Sequence, residues 1–174
     1  MPDFQKAKSD KPQIEDKILE LVSNEQKQDA LDFIGHIRAY KMTLAWASIN
    51  AWKYNYKGKR VGYIRINNGN WMPQVFTQYD TYLNELVLGE SEEIKAFVDT
   101  QVGGNVPCGG CMPGADRRTV TKELRNICAC TTITMENPDE NLCKFAKKLI
   151  TLRRDAISNG RVPKCDYVKP ADRT

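Results

Sequence analysis

Cysteines are the residues of this sequence best suited to chemistry, and four of the six lie between positions 108 and 130. Cys108 and Cys111 form a C-x-x-C motif within 107–114, a stretch of glycine and proline. Because a tight turn can bring two thiolates to one side of the chain, this motif is typical of tetrahedral zinc sites. If Cys128 and Cys130 lie on a strand, both sulfur atoms point to the same face. The sequence therefore predicts these four cysteines as metal ligands and zinc as the cofactor.

Two other interpretations of the cysteines stay open. Free cysteine is among the most buried residue types and behaves as a small hydrophobic residue, so Cys128, Cys130 and Cys143 suit a core equally well. A reversible disulfide between Cys108 and Cys111 would make the protein a thiol-dependent redox sensor or enzyme. The Met-Pro-Gly that follows Cys111 starts no helix, however, and a helix N-terminus is what stabilises the thiolate in thioredoxin-like chemistry.

Large aromatic residues are the second group of candidate binding residues. Such side chains line ligand cavities and fill cores alike, because each combines a large apolar surface with a hydrogen-bonding tip. The sequence alone does not separate the two roles. The predicted ligand-binding residues are Trp52, Tyr54, Trp71 and Tyr82.

Basic residues interleave with aromatic ones between positions 52 and 65, a composition that can stack unpaired bases and contact phosphates. They are Lys53, Lys57, Lys59, Arg60 and Arg65. The net charge of the whole chain is only +4, from 26 basic and 22 acidic residues without a block of like charges. Weak binding of single-stranded nucleic acid is thus an alternative function, while the mild overall charge argues against nucleic acid as the main partner.

The sequence offers little for catalysis. His36 is the one histidine, and its position in the helical pattern predicts a solvated, polar face. Glycine-rich nucleotide loops, the G-x-S-x-G motif and the H-E-x-x-H motif do not occur. We therefore predict no catalytic activity.

The expected compartment is the cytoplasm, with no membrane partner. The first residues carry charge but no apolar segment of a secretory signal, and no apolar run approaches the roughly 20 residues that span a bilayer. Reducing conditions keep thiols free, which favours metal binding or redox chemistry over a structural disulfide.

Hydrophobic periodicity indicates which elements position these residues. Apolar side chains at helical spacing predict helices from Pro12, over about 26–40, between Thr77 and Gly89, after an N-cap at Ser91, and from Asn137 to Gly160. Alternating segments predict strands over 52–56, 61–66, 71–76, 120–124 and 127–135.

Two local signals make the expected geometry specific. A turn at Lys57-Gly58 would place Val61 and Tyr63 opposite Tyr54 and Trp52, all on one face of the sheet. At the last helix, Asn137, Pro138 and Glu140 predict an N-cap, a first-turn proline and a capping box.

The order of elements favours a two-layer α+β fold: an antiparallel sheet, made of a three-stranded meander plus two later strands, with helices packed on it. We expect a flexible leader over 1–11, one domain over 12–160 and a polar tail over 161–174. A loop rich in glycine, proline and cysteine is expected at about 102–118. The predicted function is a cytoplasmic binding or regulatory module for a small-molecule or protein partner. Its cysteine segments either hold a structural zinc ion or brace the long loop.

Overall fold

A computed structural model describes residues 11–77, 81–103, 115–118, 123–127 and 132–161. The described helices are α1 (Ile14–Leu21), α2 (Asn24–Ala39), α3 (Thr81–Leu88), α4 (Glu92–Gly103) and α5 (Glu140–Ser158). The described strands are β1 (Thr43–Ser48), β2 (Ala51–Tyr56), β3 (Lys59–Asn67), β4 (Asn70–Phe76), β5 (Ala115–Arg118), β6 (Glu123–Ile127) and β7 (Thr132–Thr134). None of the helices in these ranges combines the length and the apolar character that crossing a membrane requires.

The strands form a five-stranded sheet in the order β1-β2-β3-β4-β7 and a separate two-stranded sheet of β5 and β6. The predicted α+β class, with an antiparallel sheet and helices packed on it, is confirmed. The meander has four strands instead of three because β1 precedes it. This strand was not predicted: it is an edge strand with mostly exposed side chains, so it lacks the apolar alternation of the inner strands. Of the three described strands after position 114, only β7 joins the large sheet.

The chain divides into two compact units. The first comprises 1–75 and 134–157, and the second comprises 76–133 and 158–174. The domain bounds expected from the sequence, one domain over 12–160 with a leader and a tail, stay a prediction. Most of the leader, most of the tail and much of the long loop lie outside the described residues.

The core of the first unit lies between one face of its sheet and the apolar stripes of its helices. Trp52 and Ile64 are register partners on this inner face, and Ile66 pairs with Trp71 beside them. The ring of Trp71 packs edge-on against Phe33 of α2, with 5.4 Å between centroids. The other buried core residues of this unit include Ile14, Ile18, Ala30, Ile34, Ile37, Phe145, Ala146, Leu149 and Ile150.

A β-bulge in β3 changes the register that the turn alone would give. Next to the turn the pairs are Tyr56 with Lys59 and Asn55 with Arg60, as the sequence predicts. Beyond them the register shifts, and Tyr54 pairs with Gly62. The extra residue of the bulge is Val61. The predicted pairs, Val61 with Tyr54 and Tyr63 with Trp52, are therefore wrong, and Tyr63 pairs with Lys53 on the face opposite the core.

The cap of α5 also differs from the prediction. Asp139 is the N-cap, because its Oδ1 accepts a hydrogen bond from the backbone N–H of Leu142 at 2.8 Å. Asn137 instead adopts a φ of 41° and holds the chain to β4. Its Oδ1 accepts from the N–H of Trp71 at 3.0 Å, and its Nδ2 donates to Asn70 Oδ1 at 2.7 Å.

In the second unit, α3 and α4 carry buried residues at helical spacing. Leu83 and Val87 are buried on α3, and Ile94 and Val98 are buried on α4. The predicted cap at Ser91 is confirmed, since its Oγ accepts from the N–H of Ile94 at 3.4 Å. Gly89 follows the end of α3, as expected for a helix stop.

Candidate functional site

The four predicted zinc ligands, Cys108, Cys111, Cys128 and Cys130, lie outside the described residues. The strands that flank them are described. Ala115 opens β5 four positions after Cys111, and Ile127 closes β6 immediately before Cys128.

The register of β5 and β6 fixes the directions in which the chain leaves this small sheet. The strands are antiparallel, and Ala115 pairs with Ile127 while Arg118 pairs with Glu123. Arg118 and Glu123 therefore lie at the end where the two strands are connected, and Ala115 and Ile127 lie at the open end. The chain arrives from the C-x-x-C motif and departs toward the C-x-C motif at that same open end.

Cys143 is a core residue of α5. Its side chain is buried, and its Sγ–H donates to the carbonyl of Pro138 at 3.4 Å. Burial, with a smaller effect of Asp29, raises the pKa of this thiol to about 11. Because the thiolate is the form that binds metals and attacks electrophiles, this burial and raised pKa disfavour Cys143 as a metal ligand or nucleophile at neutral pH. Within the described ranges, no cluster of three or more histidine, cysteine, aspartate or glutamate side chains is arranged to hold a metal ion.

Three of the four aromatic residues predicted to bind a ligand lie in the core of the first unit. Trp52, Tyr54 and Trp71 are buried on the inner face of the sheet. Each polar atom already has a protein partner. Trp52 Nε1 donates to the Pro12 carbonyl at 3.0 Å, Tyr54 Oη to the Gln74 carbonyl at 2.8 Å, and Trp71 Nε1 to Gln26 Oε1 at 3.1 Å.

Tyr82 belongs to α3 in the second unit, and its side chain is not among those that the structure describes. The role that the structure gives to the other three rings is packing with satisfied hydrogen bonds. Ligand binding by these four aromatic residues stays a prediction.

Tyr54 depends on the glycine across from it. The ring of Tyr54 lies against the backbone of Gly62, where a Cβ atom would overlap both the phenol and the Gln74 carbonyl. Burial raises the pKa of Tyr54, so the hydroxyl keeps its proton and donates to Gln74. The small residue opposite the large one is what lets the phenol reach its acceptor.

His36 is half-buried and not on a solvated surface as the sequence predicts. Its ring stacks on Tyr40 with 4.4 Å between centroids, and its Nε2 is buried without a hydrogen-bond partner. Burial is the main cause that lowers the pKa of His36 below 6.5, and the charge of Lys147 adds to it. A hydrogen bond to the backbone of Lys147 acts in the opposite direction but does not reverse the shift. The imidazole is therefore neutral at pH 7.

Sequence reasoning did not find a contact between α5 and the β2–β3 hairpin. The guanidinium of Arg154 lies over the ring of Tyr40 at 5.1 Å and over that of Tyr56 at 5.5 Å. Beside it, Nε and Nη2 of Arg153 donate to the carbonyl of Arg60 at 3.4 and 3.5 Å. Two arginines in the last turns of α5 thus contact residues of the β2–β3 hairpin next to its turn.

A signal for this surface is present in the sequence but is lost when charge is averaged over the chain. No acidic residue occurs between Asp32 and Asp80, and none between Glu140 and Asp155. The basic residues in these two stretches are Arg38, Lys41, Lys53, Lys57, Lys59, Arg60, Arg65, Lys144, Lys147, Lys148, Arg153 and Arg154.

Comparison with known proteins returned no matching family model, no matching curated protein and no matching solved structure.

Proposed function

We propose that this protein is a cytoplasmic binding module in which Cys108, Cys111, Cys128 and Cys130 hold one structural zinc ion. The observation that supports the proposal is the pairing of Ala115 with Ile127. It brings the two chain segments that lead to the cysteines to one end of a two-stranded sheet. A C-x-x-C motif that enters such a sheet and a second cysteine pair that leaves it are the arrangement in which a tetrahedral ion can join both ends.

The zinc ion would stabilise a region whose local sequence provides little stabilisation of its own. The segment over 102–118 is rich in glycine and proline, and β5 and β6 by themselves form only a two-stranded sheet. An isolated two-stranded hairpin is marginally stable in water. Four thiolate–zinc bonds at its open end would supply the free energy that a larger core supplies elsewhere.

The cytoplasm follows from the same chemistry, since thiolates remain available to a metal only where disulfides do not form. The partner of the module is a small molecule or a protein. Zinc in this proposal supports the fold and takes no part in a reaction.

Metal analysis of protein purified without added zinc tests the proposal. We expect about one equivalent of zinc per chain, lost together with thermal stability in the Cys111→Ser variant. Cys143→Ala is the matched control, because this thiol is buried and protonated in α5, and it should keep the metal.

Metal-free protein would refute the proposal, and so would equal zinc content in wild type and Cys111→Ser. In the metal-free case, fast and selective alkylation of Cys108 or Cys111 would support the redox alternative.

A further inference from the structure

A second surface, independent of the cysteines, lies in the first unit where the β2–β3 turn meets the last turns of α5. We call it the basic cluster and define it by five residues: Lys57, Lys59, Arg60, Arg153 and Arg154. Lys57, Lys59 and Arg60 are exposed, and the two α5 arginines are half-buried.

Aromatic rings and backbone hold the arginines of the basic cluster in place. Arg154 lies over Tyr40 and Tyr56, and Arg60 lies over Tyr63 at 4.9 Å. A guanidinium that packs on a ring has already lost much of its rotamer freedom, so a ligand that binds it has less entropy to remove. The cluster is therefore preorganised for an anion.

Among the residues that the structure describes, no acidic side chain forms an ion pair with the exposed part of this cluster. The ion pairs of Glu15, Glu20, Glu92 and Glu140 lie elsewhere, and none of them reaches Lys57, Lys59 or Arg60. The nearest acidic residue along the chain is Asp155, which is exposed next to Arg154. Positive charge is thus concentrated here although the chain as a whole carries only +4.

The chemistry of the surface indicates the kind of partner. Cations alone bind an anionic lipid surface only weakly, and an apolar anchor makes the attachment stable. The exposed large apolar residues in the described ranges, Leu19, Ile49 and Leu88, belong to none of the segments that form the cluster. A protein interface usually has an apolar or aromatic centre, and here the rings are half-buried beneath the cations. Repeated phosphates need neither feature, and planar guanidinium groups match their oxygens.

We propose that the basic cluster binds the phosphate backbone of nucleic acid, without sequence preference. In the sequence, the basic residues of the hairpin by themselves indicate this function only weakly. The arginines of α5, which the fold adds to the hairpin, extend the charged surface from the turn onto a second element.

Fluorescence anisotropy with labelled oligonucleotides tests this proposal. The probes are oligo(dT), oligo(U) and a DNA duplex, titrated between about 50 and 200 mM salt. Five phosphate contacts predict a slope of log K against log salt of about −3.5 for a single strand. The three probes distinguish RNA from DNA and single from double strands.

The variant Lys57→Gln/Lys59→Gln/Arg60→Gln should make this slope shallower by about 2, since each lost contact removes about 0.7. Its matched control is Lys17→Gln/Lys27→Gln/Lys95→Gln, which removes the same charge outside the cluster and should leave the slope unchanged. Thermal unfolding checks that both variants fold. If the triple variant does not fold, Lys57→Gln alone should change the slope by about 0.7.

Three results would overturn the proposal: no binding to any probe at the lowest salt, equal losses in the two variants, or binding that ignores salt. Tighter binding to phosphatidylserine vesicles or to polyglutamate than to every oligonucleotide would assign the surface to a membrane or to an acidic protein instead.

Discussion

At the scale of single residues, Gly62 makes room for the ring of Tyr54 on the inner face of the sheet in the first unit. The bulge at Val61 shifts the register of β3, so that Gly62 instead of a larger residue lies opposite Tyr54. The phenol fills the space above this glycine and reaches the carbonyl of Gln74. Neither the bulge nor the contact could be predicted from the alternation of side chains, because both depend on how the ring packs against the neighbouring strand.

Gly62→Ala should therefore destabilise the protein, since the new methyl group must displace either the ring of Tyr54 or the backbone of β4. Overpacking of this kind costs about 1–3 kcal/mol in the free energy of unfolding, measured by urea denaturation. The control is Gly35→Ala, an exposed position within α2 where an added Cβ meets no atom within 4 Å. This substitution should stabilise the helix by about 0.5–1 kcal/mol. Effects of the same sign at both positions would contradict the packing described for Gly62.

At the scale of elements, the residues between β7 and α5 show why the predicted N-cap, Asn137, is wrong. Asn137 satisfies the N–H of Trp71 on β4, and Asp139 satisfies the N–H of Leu142 in the first turn of the helix. The helix itself could be predicted because its apolar stripe and its cap signals are local. The choice of cap could not, because Asn137 is engaged by a strand that lies far away in sequence.

Asp139→Ala should lower the free energy of unfolding by about 1 kcal/mol, the usual cost of losing an N-cap. Asp155→Ala removes an exposed carboxylate from the same helix and should change stability by less than about 0.5 kcal/mol. Denaturant unfolding of the two variants measures both values. A larger loss for Asp155→Ala than for Asp139→Ala would show that charge, and not the capping hydrogen bond, stabilises this helix.

At the scale of the whole molecule, the segment over 77–131 leaves and re-enters the large sheet between two neighbouring strands. Met135 N–H donates to the Pro73 carbonyl and Asn137 N–H to the Trp71 carbonyl, both at 3.0 Å. Two residues forward from Met135 to Asn137 correspond to two residues backward from Pro73 to Trp71, which is the pattern of antiparallel pairing. Continued along β7, this register brings Thr132 opposite Phe76.

A variant in which Asn-Gly replaces residues 77–131 should therefore close a two-residue hairpin from Phe76 to Thr132. We expect it to fold, because the first unit keeps its sheet and roughly 100 residues, enough for a core of its own. Cooperative thermal unfolding and slow amide exchange in β2 to β4 would confirm this and would make the predicted single domain over 12–160 wrong. A variant that binds hydrophobic dyes and unfolds without cooperativity would show that the inserted segment is needed for the first unit to fold.

The sequence by itself determined the α+β class, the helices, the turn at Lys57-Gly58 and the cap at Ser91, because each follows from short-range backbone geometry and the spacing of apolar residues. It also placed Lys57, Lys59 and Arg60 in one predicted hairpin. Only the tertiary structure decided that Tyr63 faces away from the core and that Asp139 caps α5. It alone brought Arg153 and Arg154 to the hairpin. Contacts between elements so far apart along the chain are selected by packing across the whole unit, and no local pattern records them.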